Sequence, residues 1–304
     1  MINSVNLINE KIKTDPSLFV NECEAEYCGI VKKLAEHVSG DSDIKIVAIA
    51  GPSSSGKTTT AHLLKEELLK LDETVQVISL DDFYLASDKL PVLKNGEKDF
   101  ESVNSLDIEL LEDCFNDIIT YGKASVPKFD FMTKLRKKDF ADIDIGNKGI
   151  VIVEGLHALN PVITDLVERK NIFKVYISVN RNVVDENGVK LISSRQIRMI
   201  RRILRDEIFR NSPLFETLKM WKGVIEGERE NLYKFKPTAD MHLTTFHPYE
   251  LGLYKNRFLK LKESADNSYP YYDEFMYLEE MMEKFESVDR KFVPENSLLR
   301  EFIG

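Results

Sequence analysis

Apolar residues recur at steps of three and four through the first 43 positions: Leu18, Phe19, Cys23, Tyr27, Ile30, Val31, Leu34 and Val38. That spacing predicts an amphipathic helical segment packed on the domain C-terminal to it. Ser39-Gly40-Asp41 marks its end. The pattern then changes period. Ile46 to Ala50 is an unbroken apolar run, short enough for a buried strand. A Gly/Ser-rich loop comes next, and from Lys57 a helix buries Leu63, Leu64, Leu68 and Leu69. Val75 to Leu80 reads as a second strand and ends in Asp81-Asp82-Phe83-Tyr84.

Residues 85–105 are polar and irregular, with Pro91 and Gly96 as breakers, the pattern of a functional flap or a disordered loop. Helix periodicity returns over Leu106 to Tyr121. Val126 to Phe131 alternates like a strand or hairpin arm, and Gly149 to Val153 is a wholly apolar strand ending in Glu154-Gly155. Helix is expected over Val162 to Arg169, strand over Ile172 to Val179, and helix over 213–232. A last strand at Met241 to Thr245 precedes a helix from Pro248 to Leu261. Phe275, Leu278, Met282 and Phe285 form an apolar stripe suited to a core or subunit contact. Strands alternating with helices predict an α/β fold, a doubly wound and mostly parallel sheet. We divide the chain into an N-terminal helical extension (1–43), a central domain (44–262) and a C-terminal helical extension (263–304).

Composition narrows the classes. With 304 residues the chain can bury a sizeable core. Its formal net charge of -9 argues against extended contact with a nucleic acid backbone. Three cysteines, Cys23, Cys28 and Cys114, lack metal-like spacing, and their scarcity suits a reducing compartment. The five histidines show no zinc-ligand spacing either. No run approaches a membrane span, and no basic-then-apolar leader opens the sequence. The expectation is a soluble cytoplasmic protein acting on a small molecule, with homo-oligomerisation left open.

Chemistry concentrates at the loop Gly51-Pro52-Ser53-Ser54-Ser55-Gly56-Lys57-Thr58-Thr59. Gly51, Gly56, Lys57 and Thr58 fit the phosphate-binding pattern G-x-x-x-x-G-K-[ST] between a strand and a helix. Glycines let the backbone approach phosphate, and loop N–H groups and the helix start face the anion. Lys57 can reach the β- and γ-phosphates and the Thr58 hydroxyl can ligate Mg²⁺. Asp81 and Asp82 end a strand where ligands bind in open α/β sheets. Glu154 stands in the place of a Walker-B carboxylate. The segment from Arg195 to Arg210 carries six arginines. It is either a solvated ion-paired face or a lid, around residues 191–212, closing on a transferring phosphoryl group. Arg202 and Arg205, three apart, share a helix face.

Together these motifs resemble the uridine kinase and phosphoribulokinase group of P-loop kinases, over roughly residues 44–250. The Gly51 to Thr59 loop is similar to that family's GxSxSGKTT. Ile78 to Tyr84 resembles its S-x-D-x-F-Y, in which the Asp is the catalytic base, here Asp81. Asp99-Phe100-Glu101, followed by Asp107, sits where the family has N-F-D and an acid that binds ribose. Val126 to Phe131 followed by Arg136 resembles V-P-x-Y-D-F-x-x-H-x-R. Val153-Glu154-Gly155 matches the family's E-G, Arg201 to Asp206 its lid motif R-R-x-x-R-D, and Ala239-Asp240 the opening of its last strand. The tail Pro294 to Gly304 resembles the end of larger bacterial members, whose extra N-terminal half, related to threonyl-tRNA synthetase, has no counterpart here. Phe129 and Lys134 stand where uridine kinases have an aromatic hydroxyl and a histidine, and Asn211-Ser212 where they have Gly-Arg.

The resemblance implies an ATP-dependent, Mg²⁺-requiring kinase. Asp81, Lys57, Arg202 and Arg205 would be catalytic. The loop 51–59 and Arg210 would bind ATP, and Thr58, Glu154 and Asp81 would surround the metal. Tyr84, Glu101, Phe129, Phe131, Lys134, Arg136 and Arg202 would contact the acceptor, expected to be the 5′-hydroxyl of a pyrimidine nucleoside. A different hydroxylated metabolite, such as a sugar phosphate, is the alternative acceptor. A non-catalytic NTP-binding switch is the alternative of another class. A GTPase would need N-K-x-D, and Asn147-Lys148 is followed by Gly149-Ile150.

Overall fold

The apolar runs do become strands. In a computed structural model, which describes all residues except 1, 93–95, 97, 100, 131, 132 and 134, five of them pair side by side. They are β1 (Ile46–Ala50), β2 (Val75–Ser79), β3 (Ile150–Glu154), β4 (Ile172–Ser178) and β5 (Met241–Thr244). Their order is β5-β4-β1-β3-β2, and every pairing is parallel. β1 lies in the middle and is buried along its whole length. Its alternate residues serve two cores: Val47 and Ile49 join one, Ile46, Ala48 and Ala50 the other. Register sets the site, because Ser79 and Ile49 both lie opposite Glu154. The carboxyl ends of β1, β2 and β3 therefore finish together.

The N-terminal segment is two helices rather than one, α1 (Val5–Thr14) and α2 (Pro16–Ser39). Asp15 is extended, its side chain accepts from the Leu18 N–H, and Pro16 opens the second helix, where a missing N–H costs nothing. Beyond β1 comes α3 (Lys57–Leu69), and α4 (Ile108–Tyr121) is capped by the Asp107 side chain. The arginine-rich segment is α5 (Ser194–Arg210), started by a Ser193/Gln196 capping box. It ends at Asn211, which is left-handed (φ 48°). After it come α6 (Leu214–Asn231), α7 (Glu250–Lys260) and α8 (Tyr272–Glu283).

Two expectations need correction. Helix over 162–169 shrinks to a single turn, Pro161–Thr164, with a 3-10 turn at Arg169–Asn171. The Arg169 guanidinium donates to the Ile172 carbonyl and pairs with Asp240, so the chain is drawn straight back to the sheet. The alternating stretch 126–131 breaks at Pro127, which has no N–H to pair. Lys123–Val126 pairs with Ala141–Asp144, and Phe129–Asp130 with Leu135–Arg136.

One core holds α1, α2 and α3 together with α5, α8 and the segment Leu298–Ile303; α4 lies in the other. Leu298, Leu299 and Phe302 are fully buried. No helix among the described residues is long and apolar enough to cross a membrane.

Candidate active site

The phosphate loop owes its shape to two left-handed residues, Ser54 (φ 58°) and Gly56 (φ 85°). Glycine accepts that conformation freely, whereas serine does so only under restraint. Alternating hands are the backbone pattern of an anion nest, here at the start of α3, with the Ser55 N–H itself donated to the Pro52 carbonyl at 3.2 Å. The Ser54 and Ser55 hydroxyls are buried and have no hydrogen-bond partner among the described residues. Buried donors left unmade are costly, which fits a loop shaped for an anion.

The two glycines also do something the pattern alone does not reveal. A Cβ on Gly51 would collide with the Ile177 carbonyl of β4, and one on Gly56 would lie 2.5 Å from Leu298 Cδ1. Each is needed for close approach of protein as well as ligand.

Around this loop opens a cavity lined by Ser53, Ser54, Gly56, Lys57, Thr58, Asp81, Tyr84, Glu101, Glu154, Leu156, Arg202, Arg205, Arg210, Val224, Glu228 and Glu301. Of the residues expected from the sequence, it gathers the loop, three carboxylates and three arginines. Lys57 Nζ donates to the Pro52 carbonyl at 3.3 Å. Glu154 is buried; burial raises its carboxyl above the usual range, and Lys57, with the nearby Ser79 and Thr58 hydroxyls, opposes that. Asp81 is exposed to the cavity yet has protein on its other sides. Desolvation raises its carboxyl, Lys57 pulls it down and Asp82 pushes it up.

Asp82 is otherwise engaged. It accepts from Lys128 Nζ at 2.6 Å and from the Phe129 N–H at 3.1 Å, anchoring the hairpin arm. The aromatic ring of Phe129 packs 5.6 Å from that of Tyr84 and is buried away from the cavity. Arg136 is likewise outside the cavity: it donates to Asp107 Oδ2 at 2.9 Å and to the Tyr84 carbonyl at 3.3 Å. Asp107 is thus a helix cap and ion-pair partner. Phe131 and Lys134 lie outside the described residues. Gly51, Pro52, Ser55 and Thr59 shape the loop from behind, and the Thr59 hydroxyl donates to Glu301 at 3.1 Å.

Four contributors have no role that the sequence alone assigns. Asp206, fully buried, lies 3.4, 3.5 and 3.2 Å from Arg202, Arg205 and Arg210, fanning the three guanidiniums from one carboxylate. Glu301 accepts from Arg205 at 3.3 Å. Glu228 accepts from the Ser53 N–H at 2.8 Å. Gly227 makes room for Glu101: a Cβ there would lie 2.8 Å from Glu101 Oε2 and 3.2 Å from its Cβ. Asp206 closes the arginine motif; the others sit in charged stretches with no distinguishing spacing.

Gly227→Ala tests the placement of Glu101. Alanine is the better helix former by about 0.5–1 kcal/mol, so the helix should hold or gain stability. The Glu101 side chain must move, and a displacement near 1 Å costs about 10²-fold in a positioned reaction. We expect kcat/KM for the acceptor to fall about 10- to 100-fold with the KM for ATP unchanged. Unaltered acceptor kinetics would take Glu101 out of the acceptor site.

A nucleoside triphosphate fits these donors: the N–H groups of the loop, unpaired hydroxyls, Lys57 and three arginines. Among the described residues no cluster of three or more acidic, histidine or cysteine side chains could hold a metal by itself. Mg²⁺ needs less, since it binds one or two carboxylates together with substrate phosphates and water. Thr58, Glu154 and Asp81 would supply that set.

Comparison with known proteins agrees. The model of the Phosphoribulokinase / Uridine kinase family matches residues 46–224. A uridine kinase of Mycoplasma genitalium is 30% identical over 199 residues, 65% of this chain and 84% of its own length. One from Ureaplasma parvum is 26% identical over 180 residues, 59% of this chain and 77% of its own. A solved structure described as a possible uridine kinase from Bacillus stearothermophilus aligns with a TM-score of 0.48 at 17% identity, over 70% of this chain and 96% of its own. From the family match and the M. genitalium relative, the chain belongs to the phosphoribulokinase/uridine kinase family and is a P-loop kinase, a phosphotransferase.

Proposed function

We propose that this kinase uses ATP with Mg²⁺ to phosphorylate the 5′-hydroxyl of a pyrimidine nucleoside. The observation that carries the reading is the convergence of Asp81, Lys57, Glu154 and the Arg202/Arg205/Arg210 fan on one cavity. Bound ATP and Mg²⁺ supply the transferable phosphoryl group and part of its charge neutralisation. Asp81 accepts the proton of the acceptor hydroxyl. Lys57 and the arginines neutralise the negative charge carried by the phosphoryl oxygens during transfer. Thr58 and Glu154, with Asp81, would hold the metal.

Glu101, Tyr84, Leu156 and Val224 complete the wall. A carboxylate with apolar flanks suits a neutral ring bearing hydroxyls, and repels a phosphorylated acceptor. The M. genitalium and U. parvum relatives, both named uridine kinase, support the same choice. The body of α5 is packed in the core, and only its exposed end at Arg210 is assigned the part of closing over the phosphates.

Two measurements test the reading. Lys57→Ala should raise the Kd for MgATP at least tenfold while leaving the circular dichroism and melting curve of the parent, because the side chain faces the ligand and not the core. Parent-like ATP binding would sink the nucleotide assignment. A panel of nucleosides and sugars with labelled ATP should give the highest turnover with uridine or cytidine; preference for a sugar phosphate would replace the acceptor and leave the kinase standing.

A further inference from the structure

Arg198 and Glu228 form an ion pair that the chemistry above does not use. Both are almost wholly inaccessible, 3% and 1% exposed. The guanidinium forks onto the carboxylate, Nη1 to Oε1 at 2.7 Å and Nη2 to Oε2 at 2.8 Å. The Tyr233 hydroxyl donates to Oε2 at 2.8 Å. A third party is held between them. The Ser53 N–H donates to Glu228 Oε1 at 2.8 Å, and Arg198 Nη1 donates to the Ser53 carbonyl at 3.0 Å. The N–H and C=O of one residue in the phosphate loop are thus gripped by opposite members of one buried ion pair. Arg202 adds a bond to the Ser53 hydroxyl at 2.8 Å.

Ser53 precedes Ser54, the non-glycine residue in the left-handed region. Such a residue persists only where its surroundings over-determine it. The neighbouring peptide is where that restraint has to act, and α5 and α6 provide it with the strongest kind of hydrogen bond, charge-assisted at both ends. Glu228 lies beyond residues 46–224, the stretch that matches the family.

We infer that Arg198 and Glu228 are positioning residues for the phosphate loop. They hold the Ser53 peptide so that Ser54 stays left-handed and the loop keeps its shape before any nucleotide arrives. Gly227, the residue immediately before Glu228 in α6, fixes the room left for Glu101, so one turn of helix carries both the loop and the acceptor carboxylate. The inference rests on the nucleotide-binding reading of the loop.

An ordinary core ion pair joining α5 to α6 would look similar, and removing one member strands a buried charge whatever its purpose. Paired neutral replacements separate the two. R198M/E228Q keeps an amide oxygen for the Ser53 N–H, and R198M/E228L does not. With melting temperatures of both variants measured alongside, we expect MgATP to bind R198M/E228L at least tenfold more weakly than the parent by calorimetry, and R198M/E228Q, which keeps a bond to the Ser53 N–H but none to its carbonyl, to fall clearly between the two. Equal affinities in both variants, parent-like or equally weakened, would overturn the proposal, because the Ser53 bond would then be immaterial.

Amide exchange on the unaltered, nucleotide-free protein gives a second arm that needs no variant. The Ser53 N–H should exchange as slowly as the amides of β1; exchange at the rate of an open loop overturns the clamp. Binding of MgATP by the parent, and its loss in Lys57→Ala, is scored separately. If that control fails, the nucleotide reading falls, and the exchange rate still decides whether Ser53 is held.

Discussion

Asp81→Asn is expected to lower kcat by about 10²–10⁴-fold while MgATP affinity stays close to that of the parent. Asparagine keeps the shape and removes the basic oxygen. The effect belongs to Asp81 because of what its neighbour does: Asp82 is tied to Lys128 and to the Phe129 N–H, so Asp82→Asn should disturb the hairpin arm and cost much less turnover. The pH profile gives an independent sign. Desolvation raises the Asp81 carboxyl in the folded protein. Activity should therefore rise with pH as that carboxyl loses its proton, with a midpoint above the ordinary 3.8, and Asp81→Asn should abolish that limb. A loss below tenfold in Asp81→Asn, with the acid limb intact, would remove this strand end from the chemistry.

The largest stability effect is expected at Glu250. Arg201 and Glu250 are both fully buried. The guanidinium donates to Glu250 through Nε at 2.7 Å and Nη2 at 3.0 Å, to the Thr245 carbonyl at 2.6 Å, and lies 5.0 Å over the Phe302 ring. Glu250 also accepts from the His247 N–H at 3.0 Å. Glu250→Ala strands the guanidinium and should cost about 3–5 kcal/mol in urea unfolding. Replacing both partners, as in R201M/E250L, should recover most of that, since an apolar pair needs no hydration. A cost under about 1 kcal/mol for the single variant would mean that water reaches Arg201.

Arg201 and Arg202 show what the sequence could and could not carry. They are adjacent, alike in charge and part of one motif. About 100° of helix rotation separates them, so Arg202 reaches the Ser53 hydroxyl while Arg201 disappears into the core. Spacing did pick out the face that meets the cavity, because Arg202 and Arg205 share it. Spacing could not name the partners, since Glu228, Glu250 and Glu301 stand 30, 49 and 96 residues from the arginines they hold. The strands and the phosphate loop were legible because their signals are local: an apolar run, a glycine at a fixed offset, an acid at a strand end. The helix expected over 162–169 failed for the complementary reason, a bond from Arg169 to the sheet overriding a local pattern.

The bonds that dock the C-terminal tail beside the cavity reach across the whole chain: Thr59 to Glu301 spans 242 residues, and Ser297 to Glu24 spans 273. Contacts of that separation form only after long loops have closed, so they belong to the slow, final steps of folding. Nucleotide affinity then becomes a gauge of complete assembly: an intermediate with a finished sheet but an undocked tail would bind little. By mass action the ligand in turn stabilises the finished protein, by about 2.7 kcal/mol at a hundred times its Kd, and draws late intermediates toward it.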